Sequence, residues 1–246
     1  MDRRHRATLA TFFADEALVP EASLTLAGEV ARHIHVRRLR EGDALRLTNG
    51  RGAIAEAGLE RLARDEARVL IRDVVEVPRP PHLRLLVPVA DRERMLWLGE
   101  KSAELAVTFW QPVFFQRSAS VSPRGEGEKF AEKLRARMIG AIEQSGGAWL
   151  PERHEELSLP EALVRCAETP ASRFLLERGG VPLIDQRPGE SAQLLLGPEG
   201  GIEASERTLI IDEHRWLPAA LADTTLRFET AGVVAAGVLR ALMTRA

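Results

Sequence analysis

The sequence has a single cysteine, Cys166, among its 246 residues. One cysteine excludes an internal disulfide and any cysteine-rich zinc site, and it is typical of a protein that stays in the reducing cytoplasm. Apolar runs approaching the roughly eighteen residues of a membrane-spanning helix are also lacking. Because no apolar stretch follows the basic N-terminal residues 1–6, we expect no signal peptide.

An excess of positive charge is lacking too, since the formal net charge is −2. This balance does not indicate a protein that coats nucleic acid by bulk electrostatics. Nearly all of the cations are arginines, which can make planar, bidentate contacts with phosphates and bases. An arginine- and alanine-rich genome would produce the same bias, so only the positions of individual residues can indicate RNA binding.

A proline-rich stretch at residues 77–81 divides the chain. Its three prolines within five residues favour an extended connector and disfavour a helix or a central strand. The 246 residues are enough for two domains, and we expect them at residues 1–77 and 82–246. In the first region, the strand candidates are residues 44–48, 52–57 and 67–71. With the hairpin signal Asn-Gly at 49–50, they predict a small β-barrel.

Beyond the connector, candidate strands alternate with candidate helices. The strand candidates are residues 83–89, 109–115, 173–176, 193–196 and 215–217. The helix candidates are residues 93–106, 128–146, 204–212 and 226–243. This alternation predicts a parallel sheet covered by helices. The segment 118–128 is rich in Ser, Gly and Pro, and we expect it to form a mobile loop.

The clearest candidate for a binding loop follows the apolar strand 193–196. There the pentapeptide 197–201, Gly-Pro-Glu-Gly-Gly, precedes the start of a helix. Ligands of open parallel sheets bind beyond the carboxyl ends of the strands, and glycines let a ligand approach the backbone closely. An ordinary strand-to-helix turn is the alternative, but the composition favours a binding loop. The segment is neither a Walker loop nor the dinucleotide-binding fingerprint.

A second segment, residues 226–231 with the sequence Leu-Arg-Phe-Glu-Thr-Ala, leads into the final helix. That helix is apolar nearly all round, which indicates burial inside the protein or in a subunit interface. Arg227 and Glu229 at its start need partners or a ligand. A structural pairing of these two charges, or a capped helix start, is the alternative.

Together these segments resemble the ribosomal RNA small subunit methyltransferase E family, the 16S rRNA uracil-N3 methyltransferases of the SPOUT superfamily. The family's hallmarks are a strand running into Gly-Pro-Glu-Gly-Gly and a downstream Leu-Arg-x-Glu-Thr-Ala, and both are present in the right order and spacing. Weaker matches are residues 101–105, 111–113, 143–146 with Pro151, and 33–38 with 42–43. The last of these resembles the family's PUA-like RNA-binding barrel.

The resemblance implies a C-terminal SPOUT α/β knot, a parallel sheet with a trefoil knot, preceded by a PUA-like β-barrel. It implies methylation of N3 of a uridine in 16S rRNA with S-adenosyl-L-methionine as cofactor, and no metal. The partners that it implies are 16S rRNA or the small ribosomal subunit. It also implies a homodimer through the C-terminal domain, with the cofactor site at the subunit interface.

The resemblance also assigns roles to individual residues. Arg227 is the candidate for stabilising the uracil or a flanking phosphate. Glu229 is a candidate for orienting it, for accepting a proton or only for holding the loop, and Glu199 for shaping the loop. Glu177 is a weaker candidate for a contact with the ribose. The expected cofactor-binding residues are Leu196, Gly197, Pro198, Glu199, Gly200, Gly201, Ile202, Leu217, Leu221, Thr225 and Leu226. The expected RNA-binding residues are Arg37, Arg38 and Lys101.

Other polar residues favour plain structural roles. His33 and His35 are spaced like strand neighbours on one face and lack a third ligand, so we expect no metal there. Lys101 and Glu104 are one helical turn apart, which is typical of a surface pair. Residues 91–94 are expected to form a solvated helix start. Cys166 is expected to pack in a helix.

Several positions depart from the family pattern. Asp91 stands where a lysine is usual, Leu96 where a glutamate is usual and Gly147 where an arginine is common. Ala222 and Thr224 replace a glycine and an arginine. A smaller number of cations that can reach phosphates weakens the affinity for nucleic acid. Two alternatives therefore remain. One is a SPOUT methyltransferase acting on another RNA such as tRNA, and the other is a non-catalytic RNA-binding or ribosome assembly factor.

Overall fold

The computed structural model describes residues 9–118 and 123–243. The N-terminal residues considered above for a signal peptide lie outside the described residues. The chain divides into two compact units. The first contains Met1–Arg79 and Ile142–Leu150, and the second contains Pro80–Ala141 and Pro151–Ala246.

The first unit is built on a five-stranded sheet and one helix. Its elements are β1 (Thr11–Phe13), β2 (Ser23–Ala27), α1 (Glu29–Val36), β3 (Ala44–Thr48), β4 (Ala53–Leu62) and β5 (Glu66–Glu76). The strand order is β1-β3-β4-β5-β2, in which β1 pairs with β3 in parallel and the other pairs are antiparallel. The three strands expected from the sequence are all present. Their buried residues, together with Ile34 of α1, form the core of this unit.

The predicted hairpin between β3 and β4 is present, although its connection has four residues, 49–52. The side chain of Asn49 is buried, and its Oδ1 accepts hydrogen bonds from the amides of Arg51 (2.8 Å) and Ala53 (3.1 Å). Gly52 has a φ of +108°, and a Cβ there would lie 2.6 Å from the Trp149 ring. The connection therefore requires glycine at this position.

Residues 142–150 complete the first unit from a distant part of the sequence. The Trp149 Nε1 donates to the carbonyls of Val77 (3.0 Å) and Pro78 (3.2 Å), so it holds the start of the proline-rich connector. The Thr48 hydroxyl donates to the carbonyl of Gly147 at 2.9 Å. These bonds satisfy carbonyls of the connector and of the segment 142–150, which lie outside the strands.

The prediction that His33 and His35 are strand neighbours on one face is wrong, because both lie in helix α1. Residues two apart on a helix point in nearly opposite directions. His33 Nδ1 lies 3.6 Å from Glu143 Oε2, whereas His35 Nε2 lies 2.8 Å from the carbonyl of Ala63. Ala31 and Ile34 of α1 are three residues apart and both are buried, which is the pattern of a helix with one apolar face. The spacing of the two histidines did not reveal this pattern.

The second unit is a parallel sheet covered by helices, as predicted. Its first elements are β6 (His82–Pro88), α2 (Arg92–Glu104), β7 (Phe109–Phe114), α3 (Glu128–Ser145), β8 (Glu152–Arg153), β9 (Leu157–Ser158) and α4 (Leu159–Ala167). They are followed by β10 (Ser172–Pro182), β11 (Ser191–Leu195), α5 (Ala204–Thr208), β12 (Leu217–Ala220) and α6 (Phe228–Met243). The last turn of α3 belongs to the first unit. The strand order is β12-β10-β11-β6-β7-β8, with β9 also paired to β7, and every pair is parallel.

Three predicted boundaries near the end of the chain are shifted. The helix expected at 204–212 is α-helical only to Thr208, and a π-helical turn over Leu209–Glu213 continues it. The strand expected at 215–217 begins at Leu217, because Arg215 adopts a φ of +60° and Trp216 turns into the core. The last helix begins at Phe228 rather than at residue 226.

Arg240 joins the last helix to two other parts of the second unit. Its guanidinium donates to the carbonyls of Leu105 (3.2 Å), Pro81 (2.6 Å) and Ala106. The first and last of these carbonyls lie at the end of α2, where a helix leaves carbonyls without partners. Burial lowers the pKa of Arg240 to about 10. No helix within the described residues is long and apolar enough to span a membrane.

The ends of the segment 118–128 are hydrogen-bonded into the second unit. Ser118 is buried, and its hydroxyl accepts from the amide of Phe115 at 3.1 Å. On the other side, the Gly125 amide donates to the carbonyl of Ala90 at 3.0 Å. Residues 119–122, on which the predicted mobile loop also falls, lie outside the described residues.

Glu143 is a partly buried carboxylate within the first unit. It accepts a hydrogen bond from the Phe13 amide at 2.8 Å, and His33 and Arg37 of α1 supply positive charge nearby. Burial nevertheless dominates and raises the pKa of Glu143. A raised carboxyl pKa stabilises the fold below the pKa of the unfolded chain, and this contribution is lost as the pH rises through the folded-state pKa.

Glu143→Gln is therefore expected to become more stable relative to the wild type as the pH rises from about 5 to about 8. Glutamine keeps an acceptor for the Phe13 amide and removes the partly buried charge. Urea denaturation at several pH values measures the difference, with the exposed Glu16→Gln as the matched control. Parallel stability curves for wild type and Glu143→Gln would contradict the prediction.

Candidate functional site

A cavity of about 600 Å³ lies where strands of the parallel sheet end. The segment after β11, the segment before α6 and the start of α2 contribute to its walls. The residues that line it are Arg94, Leu176, Glu177, Leu196, Gly197, Pro198, Glu199, Gly201, Ile202, Arg207, Thr225, Leu226, Arg227, Phe228 and Ala231. Both segments singled out in the sequence therefore meet at one cavity. Parallel strands explain the meeting, since their carboxyl ends share one edge of the sheet.

A smaller cavity of about 130 Å³ shares part of this wall. The residues common to both cavities are Leu176, Glu177, Thr225, Leu226 and Ala231. Leu221 lines only the smaller cavity. Among the expected cofactor-binding residues, Gly200 and Leu217 line neither cavity, and the side chain of Leu217 is half exposed on β12.

The glycine-rich segment forms a tight turn. The Gly201 amide donates to the carbonyl of Pro198 at 2.9 Å, and Gly201 adopts a φ of +78°. That φ lies in the left-handed region, which favours glycine. A Cβ at Gly200 would lie 3.0 Å from the Cβ of Arg117, so this glycine allows the turn to pack closely against the segment after β7.

Arg117, which the sequence did not single out, holds this turn from outside. Its Nε lies 2.5 Å from Glu203 Oε1, and its Nη1 donates to the carbonyl of Gly200 at 3.0 Å. Glu206 is buried and accepts from the amides of Gln116 (2.8 Å) and Glu203 (3.0 Å). The second bond belongs to a capping box that starts α5. The turn is therefore fixed at its helix end.

The prediction that residues 91–94 form a solvated helix start is wrong for Arg94. Asp91 does cap α2, accepting from the Arg94 amide at 3.0 Å. The Arg94 side chain, however, is only about one-third exposed and forms an ion pair with Glu199 of the turn. Its Nε also lies 3.9 Å from Glu229 Oε1. No local pattern in the sequence connects the start of α2 to these distant glutamates.

Arg227 and Glu229 do not form the structural pair considered in the sequence analysis. Within the described residues Arg227 is exposed at the cavity wall and has no ion-pair partner. Glu229 is only 9% exposed, and its Oε2 has no hydrogen-bond partner among the described residues. An unsatisfied carboxylate oxygen in such a position is costly and indicates a missing partner.

Glu177, the weaker ribose candidate, is engaged by a second arginine that the sequence did not single out. Arg207 of α5 donates to it through Nε (3.0 Å) and Nη2 (2.8 Å). This pairing raises the pKa of Arg207. Both side chains line the larger cavity, and a ligand hydroxyl that contacts Glu177 would have to share it with this guanidinium.

Part of the cavity wall is apolar. Leu196, Ile202, Leu226 and Phe228 supply this surface. Gly232 on α6 lets the helix approach closely, since a Cβ there would lie 2.8 Å from Leu98 and 3.0 Å from Leu196. An apolar wall beside a few placed charges is typical of small-molecule sites, and the volume lies within their usual range.

The expected RNA-binding residues are not among the residues that line either cavity. Lys101 of α2 donates to Glu100 (2.9 Å) and Glu104 (2.6 Å), and these partners raise its pKa. The predicted surface pair with Glu104 is therefore present. Arg37 and Arg38 are exposed at the end of α1 in the first unit, and Arg38 has a φ of +59°.

Two further candidates have structural surroundings. Cys166 of α4 is fully buried in the core, and burial raises the pKa of its thiol to about 11. The predicted packing role is thus confirmed. Throughout residues 9–118 and 123–243, no group of three or more His, Cys, Asp or Glu side chains is arranged to hold a metal ion.

Comparisons with known proteins agree with this architecture. A family model described as an RNA methyltransferase domain matches residues 77–240, and one described as an RNA methyltransferase PUA domain matches residues 26–72. The ribosomal RNA small subunit methyltransferase E of Mycobacterium bovis is 30% identical over 220 residues, covering 85% of this chain and 82% of that protein. The enzyme of the same name from Synechocystis is 28% identical over 233 residues, covering 91% and 74%.

Solved structures resemble the chain over nearly its full length. The ribosomal RNA small subunit methyltransferase E of Neisseria gonorrhoeae, bound to S-adenosyl methionine, has a TM-score of 0.84 at 25% identity and covers 95% of this chain and 98% of its own. A probable rRNA-methyltransferase from Porphyromonas gingivalis has a TM-score of 0.80 at 28% identity, covering 96% and 99%. The likeness confirms the predicted fold class, a SPOUT α/β knot preceded by a PUA-like β-barrel.

The turn at residues 198–201 yields a test of its own. Gly201→Ala places a Cβ at a φ of +78° and is expected to destabilise the protein by about 1 kcal/mol. Hydrogen exchange of the loop amides should also quicken. Gly189→Ala is the matched control, because nothing lies within 4 Å of a Cβ there and its φ is ordinary. Equal stability of the two variants in urea denaturation would show that the turn does not need glycine.

Proposed function

We propose that this chain, which belongs to the ribosomal RNA small subunit methyltransferase E family, transfers a methyl group from S-adenosyl-L-methionine to N3 of a uridine in 16S rRNA. Family membership supplies the reaction class. The observation that carries the proposal is the cavity at the ends of the parallel strands. It combines the glycine-rich turn, an apolar wall and the cation of Arg227, which forms no ion pair with the described residues.

The cavity suits a cofactor with a flat, weakly polar part and a charged part. Its volume of about 600 Å³ is adequate for a molecule of that size. We assign the apolar contacts to Leu196, Ile202 and Leu226, and the close backbone approach to Gly197 and Gly201. Leu221 and Thr225 extend the same surface into the smaller cavity. When bound, S-adenosyl-L-methionine supplies a methyl group on a sulfonium.

In the proposed reaction, positioning and electrostatics do most of the catalytic work, as in other in-line displacements. The N3 of uridine is a poor nucleophile while it is protonated, so the site has to favour its anion. Arg227 is the cation that we assign to the carbonyl oxygens of that anion or to a flanking phosphate. One carboxylate oxygen of Glu229 has no hydrogen bond within the described part of the chain, and we assign Glu229 the role of proton acceptor. The base has to leave its stack to reach the cavity.

We further propose a division of labour between two domains. Residues 1–77 bind RNA, with exposed Arg37 and Arg38 contacting phosphates, and residues 82–246 carry out the transfer. Lys101 is a weaker phosphate contact, because Glu100 and Glu104 offset its charge. We also propose a homodimer through α6, which is apolar and leaves Val234 43% exposed. An rRNA substrate implies a cytoplasmic location.

Methylation of another RNA, such as tRNA, is the second candidate function. The observation in its favour is the small number of free cations at the cavity. Arg94 and Arg207 are both paired to glutamates, which leaves Arg227 as the lining arginine without an ion pair in the described structure. Fewer phosphate contacts reduce the affinity for RNA.

Deletion of the gene is expected to remove 3-methyluridine from 16S rRNA and from no other RNA. Mass spectrometry of nucleosides from purified 16S rRNA and tRNA measures this, with the complemented strain as control. Loss from tRNA alone would favour the second candidate function. Retention of every methylated uridine would contradict both.

Arg227→Ala is expected to lower kcat/KM for RNA by about a hundredfold, because the developing anion loses its cation. Binding of S-adenosyl-L-methionine, measured by calorimetry, should change less than about threefold, since we assign the cofactor mainly to apolar and backbone contacts. The exposed Arg187→Ala is the matched control, because Arg187 donates to the neighbouring carbonyls of Asp185 and Gln186 and does not line the cavity. Full activity of Arg227→Ala would rule out this role.

A further inference from the structure

Arg94 bridges the two segments that define the cavity. It forms an ion pair with Glu199 in the glycine-rich turn, and its Nε lies 3.9 Å from Glu229 Oε1 in the first turn of α6. All three residues belong to the second unit but to different elements, namely the start of α2, the turn after β11 and α6. The guanidinium has donors on more than one edge and can serve two carboxylates at once.

The burial of its arginine and of Glu229 distinguishes this bridge from the other ion pairs around the cavity. Glu229 is 9% exposed, and the side chains of Arg94 and Glu199 are each about one-third exposed. By contrast, the side chains of Arg117 and Arg207 in the rim pairs are about half exposed. Exposed pairs contribute little, whereas a buried carboxylate that loses its counter-charge is strongly destabilised.

We propose that Arg94 is a positioning residue that ties the glycine-rich turn to α6 and so sets the shape of the cofactor cavity before a ligand binds. The bridge joins the wall that we assign to the cofactor to the helix that carries Glu229. This inference rests on the proposed function for its ligand, although the coupling of turn and helix is independent of it.

The bridge also keeps Arg227 available. Glu199 and Glu229 are the negative charges closest to Arg94, and Arg227 lines the same cavity without an ion-pair partner in the described residues. Removal of Arg94 leaves both carboxylates without this counter-charge. We then expect these carboxylates to attract the exposed Arg227, which lines the same cavity. Loss of Arg94 therefore affects the turnover of RNA as well as the binding of cofactor.

The test compares Arg94→Ala, Arg94→Lys, Glu199→Gln and the double variant Arg94→Ala/Glu199→Gln. In the ligand-free protein, hydrogen exchange of residues 196–203 should quicken in Arg94→Ala while exchange in the first unit stays unchanged. The Kd for S-adenosyl-L-methionine should rise about tenfold, a loss of about 1.4 kcal/mol, and kcat should fall. Arg94→Lys restores the charge without the two-sided geometry and should recover part of the affinity. The double variant should bind no worse than Arg94→Ala.

Glu93→Gln is the matched control, because Glu93 lies on the same turn of α2 and pairs with Lys133 at 2.9 Å without lining the cavity. Unchanged loop exchange and affinity in Arg94→Ala would overturn the inference. Losses that multiply in the double variant, or faster exchange throughout the protein, would do the same. If the wild type fails to bind S-adenosyl-L-methionine, the proposed function fails, and the loop exchange of Arg94→Ala still decides the role of Arg94.

Discussion

The parallel pairing of β11 with β10 and β6 is the constraint on which the site depends. Because neighbouring strands run in the same direction, their following segments emerge at one edge of the sheet. After β11 the chain leaves that edge of the sheet through the glycine-rich turn, and it returns to the same edge just before α6. A close helix approach at Gly232 and the anchoring of the turn by Arg117 then narrow the space to a cavity of ligand size.

Charge is distributed over this cavity in pairs rather than as a uniform field. Two of its arginines are matched by glutamates that also belong to the wall, so the near-neutral composition of the chain is repeated locally. The attraction of RNA to this cavity then depends on few charged side chains, and the choice among RNAs depends on where those side chains lie. The low net charge that argued against bulk binding of nucleic acid is consistent with a site of this kind.

Most of the helices and strands were predictable, as were the two segments that meet at the cavity, because each is encoded by a contiguous stretch of sequence. Alternation identified the parallel sheet, and the composition of residues 197–201 identified the turn. Arg94, Arg117 and Arg207 were not predictable, because a long side chain finds its partner across elements that periodicity cannot orient. The histidines of α1 failed for another reason, since a spacing of two residues occurs in strands and helices alike.

The position of the segment 142–150 in the sequence constrains how recombination can exchange the two units. The chain passes between its two units at Arg79–Pro80, again at Ala141–Ile142, and once more at Leu150–Pro151. Trp149, which holds the connector, and Glu143, which accepts from the Phe13 amide, are both encoded in the later stretch. A gene fusion with a single junction in the connector would therefore encode the barrel without residues 142–150, which complete it. Recombination can exchange the complete barrel only together with residues 80–141 of the second unit, which lie between its two parts in the sequence. We therefore expect the two units to evolve together.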